Sequence, residues 1–346
     1  MKTYKQKTDF LYIGVKLLKW YQTHKRDLPW RKSINPYNIW ISEVVLQQTQ
    51  VKQGMQHYLN FIERFHNVDT LANADEEEVL LYWKGLGYYS RALNLHKAAK
   101  QLVVDYNSEF PETYSELLKL KGVGKYTAAA IASISFHEKV AAVDGNFYRV
   151  LSRLFADDFD ISNSRAFQYF SQLAELIMPE KDAGSFNQAM MDLGSEVCKP
   201  KNPLCSDCPL QDDCRAFAIG KIYQFPVKLK KTKVENLALS YQFVYHDDRF
   251  LVQQRDTSDI WKRLFEFPKK MNFNDVDFIE EHEKVIHHKL THRNLEISIS
   301  KILIPNKCDF DKLKNQNDFL SFSFTEAEQK SFPKPLHEYY IKYFSK

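Results

Sequence analysis

Four of the five cysteines stand close together, at Cys198, Cys205, Cys208 and Cys214. The spacing Cys-x6-Cys-x2-Cys-x5-Cys lets one short loop place four soft sulfur ligands around a metal. A zinc ion and a four-iron cluster both accept four thiolates, so the spacing alone leaves the metal open. Because no coordination position remains for a substrate, the pattern predicts a structural site. The fifth cysteine, Cys308, has no predicted role.

Two carboxylates stand where one could act as an acid and the other as an anion. Glu43 lies in the largely apolar stretch 41–46, and low polarity raises the pKa of a carboxyl and favours its protonated form. Asp144 immediately precedes a helical pattern. Both residues also have simpler interpretations, since Glu43 could be a solvated helix residue and Asp144 a helix N-cap.

A glycine turn separates two helical patterns at residues 120–125, with Gly122 and Gly124 one residue apart. The backbone N–H groups and the N-terminus of the following helix suit a nucleic-acid phosphate, and Lys125 adds positive charge. An ordinary helix–helix turn has the same spacing, so this motif alone leaves both interpretations open.

These residues must be positioned by a chain of 346 residues that is 44% hydrophobic and 27% charged, with 10 Gly and 12 Pro. That composition excludes disordered and fibrous classes, and the length predicts two domains. A net charge of +4 does not identify the partner. The absence of a secretory signal or a long apolar run, with a mean hydropathy of −0.47, predicts a cytoplasmic protein that does not span a membrane.

Helical spacing predominates up to about Ile219, and strand patterns follow after residue 236. The predicted helices include a face from Phe10 to Tyr21 and the segments Ile39–Gln53, Met55–Phe65, Glu76–Trp83, Ser90–Tyr106, Thr113–Leu120, Tyr126–Phe136 and Gly145–Phe155. The predicted strands are Leu237–Tyr245, Phe250–Gln254 and Leu295–Ile304. Between them stand Pro226, Lys228, Lys230, Lys231 and Lys233, which are typical of an exposed linker. We predict domains at 1–225 and 236–346, joined by a linker at 226–235.

The glycine turn and the cysteine loop together resemble the helix-hairpin-helix DNA glycosylases related to endonuclease III. Four further strings are similar to the adenine DNA glycosylase branch, namely Trp40–Gln50, Gly85–Tyr89, Val143–Asn146 and Met191–Gly194. The resemblance covers most of residues 8–215. It implies two helical modules with a helix-hairpin-helix, a [4Fe-4S] cluster on the four clustered cysteines, and duplex DNA with adenine opposite 8-oxoguanine or guanine as substrate. We expect a monomer that meets its DNA at the nucleoid.

Removal of adenine from its sugar requires an acid for the leaving base and an anion near the developing oxocarbenium ion. The resemblance implies that Glu43 protonates adenine N7 and later activates water, while an ionised Asp144 stabilises or attacks the sugar. Asn146 would orient Asp144, and Tyr126 would reach the same site. Residues placed against DNA or its bases are Arg26, Leu28, Trp30, Arg31, Leu46, Gln48, Thr49, Tyr88 (the wedge at the mispair), Gly122, Gly124 and Lys125.

Four of these assignments have alternatives, and one position separates branches of the superfamily. Trp30 and Leu46 could be plain core residues, and Arg26 and Arg31 could contact phosphates instead of adenine. In relatives that also cut the backbone, a lysine that forms a Schiff base stands where this chain has Tyr126. Tyrosine cannot form that bond, so we predict base removal with little strand cleavage.

The strings Leu251–Arg255 and Leu264–Pro268, with Trp261 between them, resemble the C-terminal domain of the same family, which is related to Nudix hydrolases. We therefore predict an α+β domain after the helical one. Its acidic residues, Glu280, Glu281 and Glu283, lack the catalytic Nudix pattern, which favours recognition over hydrolysis.

A loop with the residues Leu290, Thr291 and His292 matches the loop that contacts 8-oxoguanine in the family, although two of its three positions are substituted. Oxidation at C8 turns guanine N7 from an acceptor into an N–H donor, and the hydroxyl of Thr291 can accept from it. Lys262 and Arg263 replace glycines of the family, so we expect weaker discrimination. A zinc site at His287, His288 and His292 is disfavoured because no acidic or thiol partner is near in sequence.

Two other functions remain open on the sequence. The chain could be a bifunctional glycosylase and lyase that acts on oxidised pyrimidines, like endonuclease III, or a DNA-binding scaffold without activity. Tyr126 and the second domain argue against the first, and the pair Glu43 and Asp144 argues against the second.

Overall fold

A computed structural model describes residues 10–230, 233–255 and 260–344. Residues 1–9 of the predicted first domain and Lys231 of the predicted linker lie outside the described residues. The chain divides into two compact units, of which the first contains residues 10–73 and 94–230. The second contains residues 74–93 together with 233–255 and 260–344.

Helices form most of the first unit and flank the sheet of the second. They are α1 (Leu11–His24), α2 (Pro36–Leu46), α3 (Val51–Arg64), α4 (Val68–Ala72), α5 (Glu76–Tyr82), α6 (Ser90–Tyr106), α7 (Tyr114–Leu117), α8 (Lys125–Ser135), α9 (Gly145–Phe155), α10 (Ala166–Ile177), α11 (Ala183–Asp192), α12 (Arg215–Ala218), α13 (Lys307–Gln316), α14 (Phe324–Glu328) and α15 (Lys334–Phe344). Among the described residues, no helix is both long and apolar enough to cross a bilayer.

The predicted helix Ile39–Gln53 is wrong in its bounds, because the chain turns between α2 and α3. Helix α2 ends at Leu46, and Gln48 adopts a left-handed conformation with φ +57°. Gly54, which falls between the predicted helices Ile39–Gln53 and Met55–Phe65, lies inside α3. A Cβ at Gly54 would lie 2.8 Å from Cδ2 of Leu46, so this glycine allows α3 to pack closely against α2.

The apolar N-terminal stretch becomes the buried side of α1. Leu17 is fully buried there, in a core shared with Phe147 of α9, Phe170 of α10 and Phe186 of α11. This core supports the start of α9 and the end of α11, where several of the predicted site residues lie.

Residues 227–230 of the predicted linker are hydrogen-bonded to residues 160–162 of the first unit. The carbonyl of Val227 accepts a hydrogen bond from the N–H of Ile161 at 3.0 Å, and the N–H of Leu229 donates to Oδ1 of Asp160 at 3.1 Å. Residues 227–230 are therefore held by backbone hydrogen bonds, which the composition of the segment did not indicate.

The second unit is built on a mixed sheet with the strand order β3-β2-β1-β5-β4, and β6 pairs with β2. The strands are β1 (Glu235–His246), β2 (Arg249–Gln254), β3 (Phe265–Glu266), β4 (Ile279–Lys289), β5 (Arg293–Leu303) and β6 (Leu320–Ser323). Strands β1 and β5 run parallel, and the other pairs are antiparallel. The three predicted strands correspond to β1, β2 and β5. The helical first unit and the α+β second unit confirm the predicted fold class.

Strand β4 was not predicted, because its sequence is charged and most of its side chains are exposed. It contains Glu280, Glu281 and Glu283, which therefore lie on a strand and not on the helix of a Nudix catalytic motif.

Candidate active site

A pocket with an empty volume of ≈ 460 Å³ lies in the first unit. It is lined by seven residues predicted from the resemblance, Arg26, Leu28, Trp30, Arg31, Glu43, Leu46 and Tyr126, and by Ile39, Val51, Ile134, Gln188 and Met191, which were not predicted. The mostly apolar walls with few polar groups are typical of a small-molecule site.

Glu43 is the acidic residue of this pocket and is 8% exposed. The hydroxyl of Tyr126 donates to its Oε2 at 2.5 Å. Burial raises the pKa of Glu43 to about 7, and the nearby charge of Asp144 acts in the same direction. The hydrogen bond from Tyr126 and the charge of Arg31 partly oppose this rise. Glu43 can therefore donate a proton and accept one close to neutral pH.

Tyr126 is the second residue of α8 and is placed by the glycine turn before it. Burial, together with the charges of Glu43 and Asp144, raises the pKa of Tyr126 well above its ordinary value. Its phenol therefore stays protonated, and it acts on Glu43 as a hydrogen-bond donor.

Asp144 is the N-cap of α9, as the simpler of its two interpretations predicted. Its Oδ1 accepts from the N–H groups of Asn146 and Phe147, both at 2.9 Å, and its Oδ2 accepts from Nδ2 of Asn146 at 2.7 Å. Burial raises the pKa of Asp144, and these three hydrogen bonds oppose the rise. Asp144 does not line the pocket, but its charge also raises the pKa of Glu43 and Tyr126.

Asn146 is held in turn by Arg149, which the sequence analysis missed. Nη2 of Arg149 donates to Oδ1 of Asn146 and to the carbonyl of Gly194, both at 2.7 Å. A Cβ at Gly194 would lie 2.5 Å from Cβ of Asn146, so only glycine allows this approach. Nε of Arg149 donates to the carbonyl of Cys198 at 2.7 Å, which links this network to the cysteine loop.

Arg26 and Arg31 are paired with the carboxylate of Asp192, whose side chain is fully buried. Arg31 donates to both oxygens of Asp192, at 2.6 and 2.9 Å, and Nε of Arg26 donates to Oδ1 at 2.7 Å. The two guanidinium groups therefore face the pocket in fixed positions and are not free to follow a phosphate. Asp192 belongs to the string Met191–Gly194, so its position was noticed from the sequence but its role was not.

The four clustered cysteines line a cavity of ≈ 320 Å³ at the far end of α9 and form no disulfide. In the described part of the chain, no group of three or more His, Cys, Asp or Glu side chains is arranged to hold a metal ion. The structure nevertheless brings the four predicted ligands together around one cavity. Burial raises the pKa of Cys208 to about 12, so a bound metal would have to stabilise its thiolate form.

Comparison with known proteins agrees with this geometry. Residues 41–175 match the HhH-GPD superfamily of base excision DNA repair proteins, residues 198–214 match the iron-sulfur binding domain of endonuclease III, and residues 241–342 match a NUDIX domain. The adenine DNA glycosylase of Buchnera aphidicola subsp. Baizongia pistaciae is 36% identical over 337 residues, which cover 92% of this chain and 93% of that relative. The chain belongs to the adenine DNA glycosylase family.

Another adenine DNA glycosylase and two solved structures also resemble the chain. The human adenine DNA glycosylase is 43% identical over 209 residues, which cover 58% of this chain and 38% of the human protein. A thermostable thymine-DNA glycosylase has a TM-score of 0.55 at 28% identity and covers 60% of this chain and 96% of its own. An endonuclease III–DNA complex has a TM-score of 0.54 at 25% identity, with 63% and 99% covered. The predicted DNA N-glycosylase class and iron–sulfur cluster are confirmed.

The glycine turn of this glycosylase contains two glycines that differ in how strictly the structure requires glycine. Gly122 has φ +76°, and a Cβ there would lie 2.5 Å from Cβ of Asn94, so no other residue fits. Gly124 has φ −90° as the N-cap of α8, and a Cβ there would meet nothing within 4 Å. The N-terminus of α8 is therefore open to a ligand, and Lys125 beside it is exposed.

Gln48 and Thr49, which the family resemblance placed at the DNA, lie in the turn between α2 and α3. Gln48 is exposed and Thr49 is half-buried, and neither lines the pocket. The N–H of Thr49 donates to the carbonyl of Leu46 at 3.2 Å, which ties the turn to the end of α2.

The second unit brings together two residues that were predicted separately. Tyr88 has φ +45° and is 42% exposed, and its hydroxyl is hydrogen-bonded to Oγ1 of Thr291. Arg91, which was not predicted, donates to the carbonyls of Leu86 and Gly87 at 3.1 and 3.2 Å and lies 5.8 Å from the centroid of the Tyr88 ring. Arg91 therefore shapes the backbone that presents Tyr88.

The remaining residues of the predicted recognition loop lie between β4 and β5. Leu290 is half-buried against the core of this unit, and its N–H donates to the carbonyl of Arg293 at 2.8 Å. His292 is exposed, and its carbonyl accepts from the N–H of Glu235 at 3.0 Å. The loop is a tight turn that leaves the side chains of Thr291 and His292 accessible.

Proposed function

We propose that this enzyme hydrolyses the N-glycosidic bond of adenine opposite 8-oxoguanine or guanine in duplex DNA and leaves the backbone intact. The observation that carries the proposal is Glu43, a buried carboxyl with a pKa of about 7 on the wall of a pocket of ≈ 460 Å³. An adenine turned out of the helix would bring its N7 to this carboxyl.

The first step is proton transfer and departure of the base. Tyr126 donates to Oε2 of Glu43, which leaves Oε1 to carry the proton to adenine N7. The bond between C1′ and N9 then breaks, its electron pair leaves with the protonated base, and positive charge develops on the sugar. The paired guanidinium groups of Arg26 and Arg31 fix one wall of the pocket and so orient the base.

The second step is addition of water to the sugar. The Asp144 carboxylate, held by three hydrogen bonds at the start of α9, stabilises the cation at C1′. Glu43, now a carboxylate, accepts a proton from water as the water oxygen bonds to C1′. The products are adenine and an abasic site, and Glu43 ends protonated as it began.

Two features favour hydrolysis without strand cleavage. Tyr126 has no amine, and burial keeps its phenol protonated. The nearest amine in sequence, Lys125, is exposed, lies 5.3 Å from the ring centroid of Phe167 and is not part of the pocket wall. No amine of the pocket is thus in place to attack C1′.

The remaining predicted contacts support binding of the damaged duplex. The open N-terminus of α8 suits a phosphate, and the exposed hydroxyl of Thr291 can accept from N7–H of 8-oxoguanine. Tyr88, hydrogen-bonded to Thr291, suits the role of a wedge at the mispair. The iron–sulfur cluster, with all four ligands from cysteine, supplies structure to its loop. Because all pocket residues come from one chain, we propose that a monomer is active.

A test uses duplexes with adenine opposite 8-oxoguanine, adenine opposite guanine, or thymine glycol, with abasic sites scored before and after alkali. We expect product only from the adenine duplexes and strand breaks only after alkali. Glu43→Gln should abolish product, whereas Glu63→Gln, a change at an exposed glutamate of α3, should not. Strand breaks without alkali, or activity on thymine glycol, would favour the lyase function, and tight binding without any product would favour a scaffold.

A further inference from the structure

Arg153 is a buried cation next to the iron–sulfur ligands and is 3% exposed. Its Nη1 lies 3.3 Å from Sγ of Cys198 and donates to the carbonyl of Lys199 at 2.8 Å. Sγ of Cys214 lies 3.4 Å from the carbonyl oxygen of Arg153. One residue of α9 thus contacts both the first and the last cysteine of the loop.

The same guanidinium also binds the segment that follows the loop. Its Nε donates to the carbonyls of Ile222 and Phe225, both at 3.2 Å, and Nη2 donates to the carbonyl of Pro200 at 3.3 Å. These acceptors are a sulfur and neutral carbonyls, which solvate a guanidinium but do not neutralise it. Burial of a cation is costly unless an anion lies nearby, and thiolates that ligate iron supply such charge.

We propose that Arg153 is a positioning residue for the iron–sulfur cluster. Its charge neutralises the Cys198 thiolate and raises the reduction potential of the cluster, and its hydrogen bonds hold the cysteine loop against residues 222–225. A positive charge and a hydrogen bond at a ligand sulfur stabilise the more negative, reduced form, and hydrogen bonding to the sulfurs is a known determinant of cluster potential.

Arg149 provides an internal comparison, because it also reaches Cys198 but through the backbone. Its Nε donates to the carbonyl of Cys198, whereas Arg153 donates to the sulfur itself. Arg149 also donates to Asn146 near the start of α9, whereas Arg153 donates to the carbonyls of Ile222 and Phe225. The two arginines therefore serve different ends of the same helix.

The test is the reduction potential of the cluster in Arg153→Met, measured electrochemically on protein of verified iron content. We expect a tenfold shift of the redox equilibrium toward the oxidised form, equal to about 59 mV more negative for one electron. Arg215→Met is the matched control, because it removes the same charge from an exposed position next to Cys214 and should leave the potential unchanged. An unchanged potential in Arg153→Met would overturn the proposal, since a purely structural role for Arg153 would not move it.

A second variant keeps the proposal testable if Arg153→Met does not load a cluster. Arg153→Lys retains the charge, but one ammonium cannot reach the Cys198 sulfur and the carbonyls of Lys199, Ile222 and Phe225 together. We expect a smaller negative shift of the potential and faster loss of visible cluster absorbance in the presence of a chelator. A lysine variant that matches the unmodified protein in both measurements would also overturn the proposal.

Discussion

Removal of the Tyr126 hydroxyl should move the pH dependence of catalysis in a direction that few other changes would produce. In Tyr126→Phe, Glu43 loses the hydrogen bond at 2.5 Å that favours its charged form. A hydrogen bond to a charged group contributes about 1.5–3 kcal/mol, and one pKa unit corresponds to about 1.36 kcal/mol. The pKa of Glu43 should therefore rise from about 7 by about 1 to 2 units.

The sign of the effect on rate follows from the role proposed for Glu43 as the acid. A general acid must be protonated, so the rate of the unmodified enzyme should fall as pH rises through about 7. In Tyr126→Phe this fall should occur at higher pH by the same one to two units, whatever happens to the rate on the plateau.

The assay is single-turnover adenine excision as a function of pH. Tyr58→Phe is a matched control, because this tyrosine packs against Trp30 at 5.3 Å between ring centroids and is not among the groups that shift the pKa of Glu43. A fall that stays near pH 7 in Tyr126→Phe, or that moves to lower pH, would refute the assignment of Glu43 as the acid.

Three further predictions concern stability. The pKa of Glu43 is raised from 4.5 to about 7, so the folded protein binds this proton more tightly than the unfolded chain does and loses stability as pH rises from 4.5 to 7, by about 3 kcal/mol in total. In urea unfolding, Glu43→Gln should therefore be more stable than the unmodified protein by a margin that grows from pH 5 to pH 8. An equal margin at both pH values would contradict this prediction. Asp192→Asn removes the buried charge that pairs two arginines and should cost about 3–5 kcal/mol in urea unfolding, whereas Glu196→Gln, 53% exposed beside one of them, should cost less than about 1 kcal/mol. Gly122→Ala should lower both the melting temperature and DNA affinity, while Gly124→Ala should leave the melting temperature nearly unchanged, and equal melting temperatures would show that the turn tolerates a side chain.

Much of the candidate site could be predicted because its residues lie in short, contiguous strings. The apolar neighbours of Glu43 predicted the raised pKa that the structure shows. Asp144 could be a cap or a functional anion; the structure shows that it is the cap of α9, and its role as an anion stays a prediction. Local sequence therefore predicted those properties, a pKa and a helix cap, that depend on residues close by in the chain.

Long-range pairs could not be predicted in the same way. Asp192 is 161 residues from Arg31 in sequence, and no periodicity relates the two. The end of α2 was also missed, because the stretch around Gln48 is helical in pattern and only the left-handed backbone of that residue shows the turn. Polarity predicted an exposed linker at 226–235, whereas its attachment depends on backbone groups that side-chain composition does not report.

Glu43 and Asp144 have opposite effects on the stability of the fold, and this difference has an evolutionary consequence. Glu43 is a buried acid that costs stability at neutral pH, whereas Asp144 stabilises a helix as its cap. In a descendant released from selection for activity, position 43 should drift first, because glutamine or an apolar residue there would make the fold more stable. Position 144 should retain Asp, Asn or Ser long afterwards, since helix capping alone maintains it. An intact residue at 43, rather than at 144, is therefore the better sign that a related sequence is still an enzyme.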